Sequence, residues 1–488
     1  MRLSQLILPR PVLIAAMALP LAACGVAYGK DQVDSVATAA PVVKQGTKEG
    51  RAKNVILFIG DGMGISTITA ARIYAGQKRG QTGEEFVLPF ETFDHVALVK
   101  TYNSNAQVPD SAGTATAMNS GVKTQIGFIG MGAEAKHGDC NSGKGHELPL
   151  IADMAKAHGL ALGIVSTARI THATPAAVYA HSTDRDWESD AAIPESQRGL
   201  GCEDIAQQLV ETDFDVALGG GRAAFFGPGK GGWRLVGDAD LPAEWVARTG
   251  GSYVESASAM AAAPMGKPLL GIFSPSHMTY TVDRKPDTSE PTLTDMTREA
   301  VRRLSQDPDG YYLMAEAGRI DHGHHEGKAG YALEEAVEFA RAIQWAIDNT
   351  DPEETLILVT ADHSHVFTIA GYPKRGNDIL GLVYPPEGGG EDGGDTAGGP
   401  TLAADGKPYT TLGYANGPGA VPFDDEGGRP IPETGVKVRQ QALVPSGSET
   451  HGGEDVALFG QGPGSERVKG VIEQNVIYRI ILAAFGWE

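Results

Sequence analysis

Short unbroken apolar runs, rather than alternating ones, set the pattern of this chain. The first is NVILFI at Asn54–Ile59, and similar runs recur at Ala161–Ser166, Val216–Leu218, Tyr311–Ala315 and Thr355–Thr360. Runs of this length predict strands buried on both faces, as in parallel sheets. Between several of them the apolar positions take helical spacing, at Leu148–Ala157 and Gly330–Asn349. Such alternation predicts an α/β fold with a mostly parallel central sheet and helices on both faces. The pattern lapses twice. Residues 24–50 show no sustained periodicity and predict a flexible tether ahead of an ordered domain at 51–488. Tyr384–Gly399 is acidic and glycine-rich, and it lies within 372–446, a stretch that predicts a small insertion on that domain.

Composition narrows the class. The 488 residues are 41% hydrophobic, enough for a large core, and the 64 glycines and 29 prolines favour a loop-rich enzyme over a helical bundle. A formal charge of −21 argues against nucleic acid or an anionic membrane surface as the main partner. Arg2 and Arg10 flank an apolar run, Pro11–Leu21, that falls short of the about 20 residues a spanning helix needs. The run ends in LAACG, with Cys24 following two alanines. Residues 1–23 therefore read as a lipoprotein-type signal peptide and Cys24 as the lipidated first mature residue; ordinary secretion with an incidental cysteine is the alternative. Removing 1–23 takes away two arginines and no acid, moving the formal charge from −21 to −23. Cys140 and Cys202 remain. In an exported chain they either pair, worth about 3–5 kcal/mol for a long loop, or stay as buried thiols.

Ligand-type side chains gather in four places, after predicted strands or at a helix start, where open α/β sheets build their sites. Asp61 stands in GDGMG directly after the first run, with glycines that permit a sharp turn and close approach of an ion. Ser111, in PDSAGTAT, opens a helix of small residues whose dipole favours an anion; its plain reading is a helix cap. Residues 316–326 hold Glu316, Asp321, His322, His324, His325 and Glu326, and Asp321 and His325 are one helical turn apart, able to face one cation. Asp362 and His363 follow the fifth run, and His451 sits in a glycine-flanked loop further on. Together these sets imply two neighbouring divalent ions, an arrangement suited to displacement at phosphorus. A serine activated by metal fits, since no GxSxG elbow is present.

With those residues in place, the sequence resembles the alkaline phosphatases from Lys53 onward. The matching stretches, in order, are NVILFIGDGMG, PDSAGTATAMNSGVKT, THATPAAVYAHSTDRDW, EAGRIDHGHHEG, TADHSHVF and ETHGGEDV. Their wording is nearer the animal-type branch than the enterobacterial form. The resemblance implies hydrolysis of many phosphomonoesters to alcohol and inorganic phosphate through a phosphoserine at Ser111. It implies one zinc at Asp321, His325 and His451, and a second at Asp61, Asp362 and His363. A magnesium would share Asp61 and take Thr174 and Glu316, with cobalt conceivable there. Arg185, by sequence an ordinary surface arginine, would grip two phosphate oxygens. His172 would stand behind the magnesium and His322 beside the phosphate, where some bacterial members have Asp and Lys. A neutral His322 implies weaker hold on phosphate and faster release.

The same resemblance implies a Cys140–Cys202 disulfide and a homodimer with a crown-like insertion at 372–446, although the Gly/Asp-rich loop differs. A calcium site is doubtful, because Ser274 follows Phe273 where the animal-type enzymes carry an acid; Asp287 and Glu290 lie nearby. The expected location is the periplasm or the outer membrane, with contact to the membrane through the lipid anchor alone. Two other readings compete: a phosphodiesterase or sulfatase of the same superfamily, and a non-catalytic metal or phosphate binder.

Overall fold

All five apolar runs become strands of one ten-stranded sheet. The structure, a computed structural model, describes residues 51–388, 398–421 and 429–487. The signal peptide at 1–23, Cys24, the tether at 24–50 and most of the Gly/Asp-rich loop lie outside the described residues. In chain order the strands are β1 (Asn54–Gly60), β2 (His95–Lys100), β3 (Ala161–Arg169), β4 (Val216–Gly220), β5 (Ser252–Val254), β6 (Leu269–Ile272), β7 (Tyr311–Ala317), β8 (Thr355–Thr360), β9 (Ser364–His365), β10 (Phe367–Ile369), β11 (Leu412–Gly417), β12 (Gln441–Pro445), β13 (His451–Gly452), β14 (Val456–Gln461) and β15 (Gly470–Glu473). The large sheet runs β15-β2-β14-β8-β1-β7-β3-β4-β6-β5, and β14 alone is antiparallel to its neighbours.

The expected mostly parallel sheet is present, with more strands than the runs predicted. β2 was hidden because it alternates: Ala97 and Val99 are buried while Val96 and Leu98 are exposed. The helix expected from Leu148 begins at Ile151. Pro149 disfavours helical backbone at Leu148, and Leu150 is an extended cap whose N–H donates to Asp153 at 2.9 Å.

β1 sits at the centre, with β7 on one side and β8 on the other. Its residues Val55–Ile59 are wholly buried, each contributing about 1.5–3 kcal/mol for the larger side chains. Four helices matter below: α1 (Ile65–Gln77), α2 (Ser111–Ser120), α3 (Arg319–His325) and α4 (Ala329–Asn349). α4 buries Leu333, Val337, Phe339 and Ile343, and Phe339 meets Phe58 of β1 edge-on at 5.9 Å. The register aligns Ile59 with Glu316 of β7 and with Thr360 of β8. Asp61, Glu316 and Asp362 therefore emerge side by side at the carboxyl edge of three adjacent strands.

β10, β11 and β12 form a separate three-stranded sheet, to which the stretch 372–446 supplies two strands. Cys140 and Cys202 are joined as a disulfide and pack on Trp187 and Ile193. Among the described residues no helix is long and apolar enough to cross a membrane.

Candidate metal and phosphate site

Three histidines at the sheet edge share one construction. His325 Nδ1 lies 2.6 Å from the Glu449 carbonyl, His363 Nδ1 3.2 Å from the Ser364 carbonyl, and His451 Nδ1 2.8 Å from the Pro109 carbonyl. A carbonyl only accepts, so each Nδ1 carries a proton, and each ring turns its Nε2 into the site, where an unprotonated Nε2 would offer a lone pair. The Nε2 atoms stand close to one another and to carboxylate oxygens. His325 Nε2 is 3.1 Å from His451 Nε2, and both face Asp321 Oδ1, at 3.2 and 3.4 Å. His363 Nε2 is 3.4 Å from Asp61 Oδ1 and 3.3 Å from Asp362 Oδ2. With Nε2 unprotonated, atoms held this close repel unless a cation lies between them. A tetrahedral ion with bonds of roughly 2.1 Å separates its ligands by about 3.4 Å, so both sets fit one.

A third group combines Asp61, Glu316 and His172. Several buried atoms around it have no hydrogen-bond partner: both Asp61 oxygens, Asp362 Oδ2, Glu316 Oε1, Thr174 Oγ1 and His172 Nδ1. Buried polar atoms are ordinarily paired, and these oxygens suit a hard divalent ion. Protein electrostatics agree. Burial, followed by repulsion from Asp362, Asp321 and Glu316, holds the Asp61 carboxyl well above the usual range. Burial pushes Glu316 up to about 7, although Ser166 donates to it. Asp321 differs: burial raises it, but His325 and hydrogen bonds from His325, His365 and His451 outweigh that and hold it well below. Burial lowers His322 to about 3 and carries His172 well below its ordinary value, so both rings are neutral at alkaline pH.

Ser111 begins α2 but does not cap it. The cap is Asp110, whose Oδ1 accepts from Gly113 N at 3.0 Å. The Ser111 hydroxyl is free to face the site, 3.2 Å from His363 Nε2. Nor is Asp61 a cap, since α1 starts after Gly64. Arg185 is no surface arginine: its Nη1 donates to Asp110 Oδ2 at 3.1 Å, and Nη2 lies 3.1 Å from His172 Nε2. Asp110 thus holds the start of the serine's helix and the guanidinium with opposite oxygens.

Two participants carried no expected role. His365 is buried, with Nε2 2.9 Å from Asp321 Oδ1 and Nδ1 against Glu449. These carboxylates overcome the burial penalty and raise it to about 10. His365 follows His363 by two, and Glu449 precedes His451 by two, the strand spacing that keeps side chains on one face. The β9–β13 pair sets His365 opposite His451. The Gly62 turn is equally tight: φ is +69°, and a Cβ there would run into the His365 ring. Gly62→Ala is expected to weaken divalent-cation binding about tenfold or more, measured by competitive titration with a metal indicator.

Near the doubtful calcium position, Ser274 Oγ donates to the Ser276 carbonyl, and Glu290 accepts from Thr279 N and Oγ1 at 2.8 and 2.9 Å.

Fold and site together describe an α/β protein with side chains that could hold metal ions gathered at the carboxyl edge of a mostly parallel sheet. The family model for alkaline phosphatase matches residues 52–486. The chain is 46% identical over 447 residues to the tissue-nonspecific alkaline phosphatase of Gallus gallus, covering 87% of this chain and 83% of that one. It is 44% identical over 453 residues to the alkaline phosphatase of Gadus morhua, covering 89% and 91%. The alkaline phosphatase of Thermus thermophilus has the same fold, with a TM-score of 0.63 at 24% identity over 90% of this chain and 92% of that one. The chain belongs to the alkaline phosphatase family and is a phosphoric monoester hydrolase.

Proposed function

We propose that the chain hydrolyses a broad range of phosphomonoesters through a phosphoserine at Ser111, at a site for two zinc ions and one magnesium ion. The observation that carries this reading is the set of inward-facing Nε2 atoms of His325, His363 and His451, with the Ser111 hydroxyl beside that of His363. Asp321, His325 and His451 would hold one zinc, and Asp61, Asp362 and His363 the other. Asp61, Thr174 and Glu316 would hold magnesium, for which cobalt is a conceivable substitute. Bound ions would supply Lewis-acid stabilisation of the oxygens entering and leaving phosphorus.

The protein's own groups do the rest. Ser111 Oγ, at the positive end of α2, bonds to phosphorus as the ester P–O bond breaks; Ser111 loses one proton and the departing alcohol gains one. Water then displaces Ser111 and restores its hydroxyl. Arg185 has five N–H donors, so its contacts with Asp110 and His172 leave donors for two phosphoryl oxygens. Neutral His322 would offer a hydrogen bond without a permanent charge, which favours release of phosphate. The engagement of Ser274 and Glu290 leaves calcium out of the proposal. The N-terminal sequence supports export, with lipid attachment at Cys24. Homodimerisation and a crown role for 372–446 are part of the same reading.

The test compares turnover of p-nitrophenyl phosphate, its bis-ester and p-nitrophenyl sulfate. The monoester should be preferred by several orders of magnitude. A preference for either competitor would overturn the reading, and zinc uptake without turnover would identify a binder.

A further inference from the structure

His324 has no part in the reaction above, yet it is wholly buried beside the residues that carry it. Its ring lies at the junction of three segments. Nε2 is 3.0 Å from Thr67 Oγ1 on α1, the helix entered directly from the Asp61–Gly64 turn. Nδ1 is 2.9 Å from the Tyr414 hydroxyl on β11, in the small separate sheet. Its faces meet His365 at 4.7 Å and Phe367 at 4.9 Å, and Tyr414 also packs on Phe367 at 5.2 Å. In a neutral imidazole one nitrogen donates and the other accepts, and a hydroxyl can do either, so both contacts are satisfied in either tautomer.

The location matters because α3 has only seven residues. A helix that short is not stable by itself, so the relative aim of Asp321 and His325 must be set from outside. Gly323 faces away, against Ala332, whereas His324 lies one turn on from Asp321 and next to His325, and it has the two directional contacts. Partners behind a metal ligand commonly change metal affinity by about ten- to hundredfold when removed.

We propose that His324, clamped between Thr67 and Tyr414, is a positioning residue for the cation set on α3, and that the small sheet governs cation retention there through the Tyr414 hydroxyl. This rests on the reading that Asp321 and His325 hold a cation. It assigns the small sheet a task in the metal site, although none of the proposed ligands lies on β10, β11 or β12.

The test uses the full zinc-loaded chain and follows zinc transfer to an excess of chromogenic chelator without substrate. Tyr414→Phe removes one hydroxyl and keeps the ring, and Thr67→Val replaces the other hydroxyl with a methyl group. Each should speed one zinc-release phase about tenfold or more, with the double variant close to His324→Phe. The thermal midpoint of the metal-free protein should move little. If His324→Phe does not fold, the two hydroxyl deletions remain decisive. Unchanged release in both would overturn the inference, as would a midpoint falling in step with faster release, which marks a merely structural role. A protein that binds zinc but turns over no monoester would instead overturn the proposed function and leave this inference standing.

Discussion

Ser111→Ala is expected to lower p-nitrophenyl phosphate turnover by roughly 10⁴- to 10⁶-fold, the range seen when a catalytic nucleophile is deleted. Zinc binding should survive. The expectation is unusually clean because Ser111 has no structural task to lose. Asp110 caps α2, the Ser111 side chain is buried, and alanine favours the first turn as well as serine does. The three Nε2 atoms and the carboxylates belong to other segments. Two measurements check it: steady-state turnover, and acid-quenched labelling with radioactive phosphate, which should leave no covalent phosphate on the variant. Activity at the wild-type level would mean that another group attacks phosphorus.

Metal removal should have the second-largest effect, abolishing activity and weakening the fold in a pH-dependent way. Asp61, Asp362 and Glu316 are buried close together and their carboxyls are raised. For Glu316 the folded state keeps its proton up to about pH 7, whereas the ordinary value is 4.5. A raised carboxyl contributes its full stability below the unfolded value and loses it as pH climbs towards the folded one. The chelated protein should therefore lose stability from about pH 4.5 to 7. Asp321, held low, acts in the opposite direction, but its contribution is lost only at more acidic pH. Bound ions remove the penalty and add about 4 kcal/mol for each ion present at a thousand times its dissociation constant. Thermal midpoints with and without chelator should diverge from pH 5 to pH 8. A gap that stays constant or narrows would count against the buried carboxylates as ligands.

What could be read from the sequence depended on the range of the interaction. Buried strands such as Asn54–Gly60 and Thr355–Thr360 announce themselves because both faces are apolar, while β2, with one face exposed, did not. Asp321 and His325 were visible as a pair because four residues separate them on a helix. Ser111 looked like a cap, and the folded chain gives that task to its neighbour Asp110. Arg185 could not be singled out locally, since the carboxylate that orients it is 75 residues away. His365 and Glu449 escaped a role for a related reason. They stand behind the proposed ligands, and the β9–β13 pairing that puts them there joins segments far apart in the chain.

Asp110 has a final consequence. One carboxylate carries both the start of the serine's helix and the guanidinium, with Asn103 and Gly127 N–H completing its coordination. The proposed nucleophile and the proposed phosphate clamp therefore hang from a single mount. A displacement of Asp110 would carry both with it, so their separation would change less than the position of either. In-line attack by Ser111 on a phosphate held by Arg185 would depend on that separation, which the shared carboxylate helps to fix.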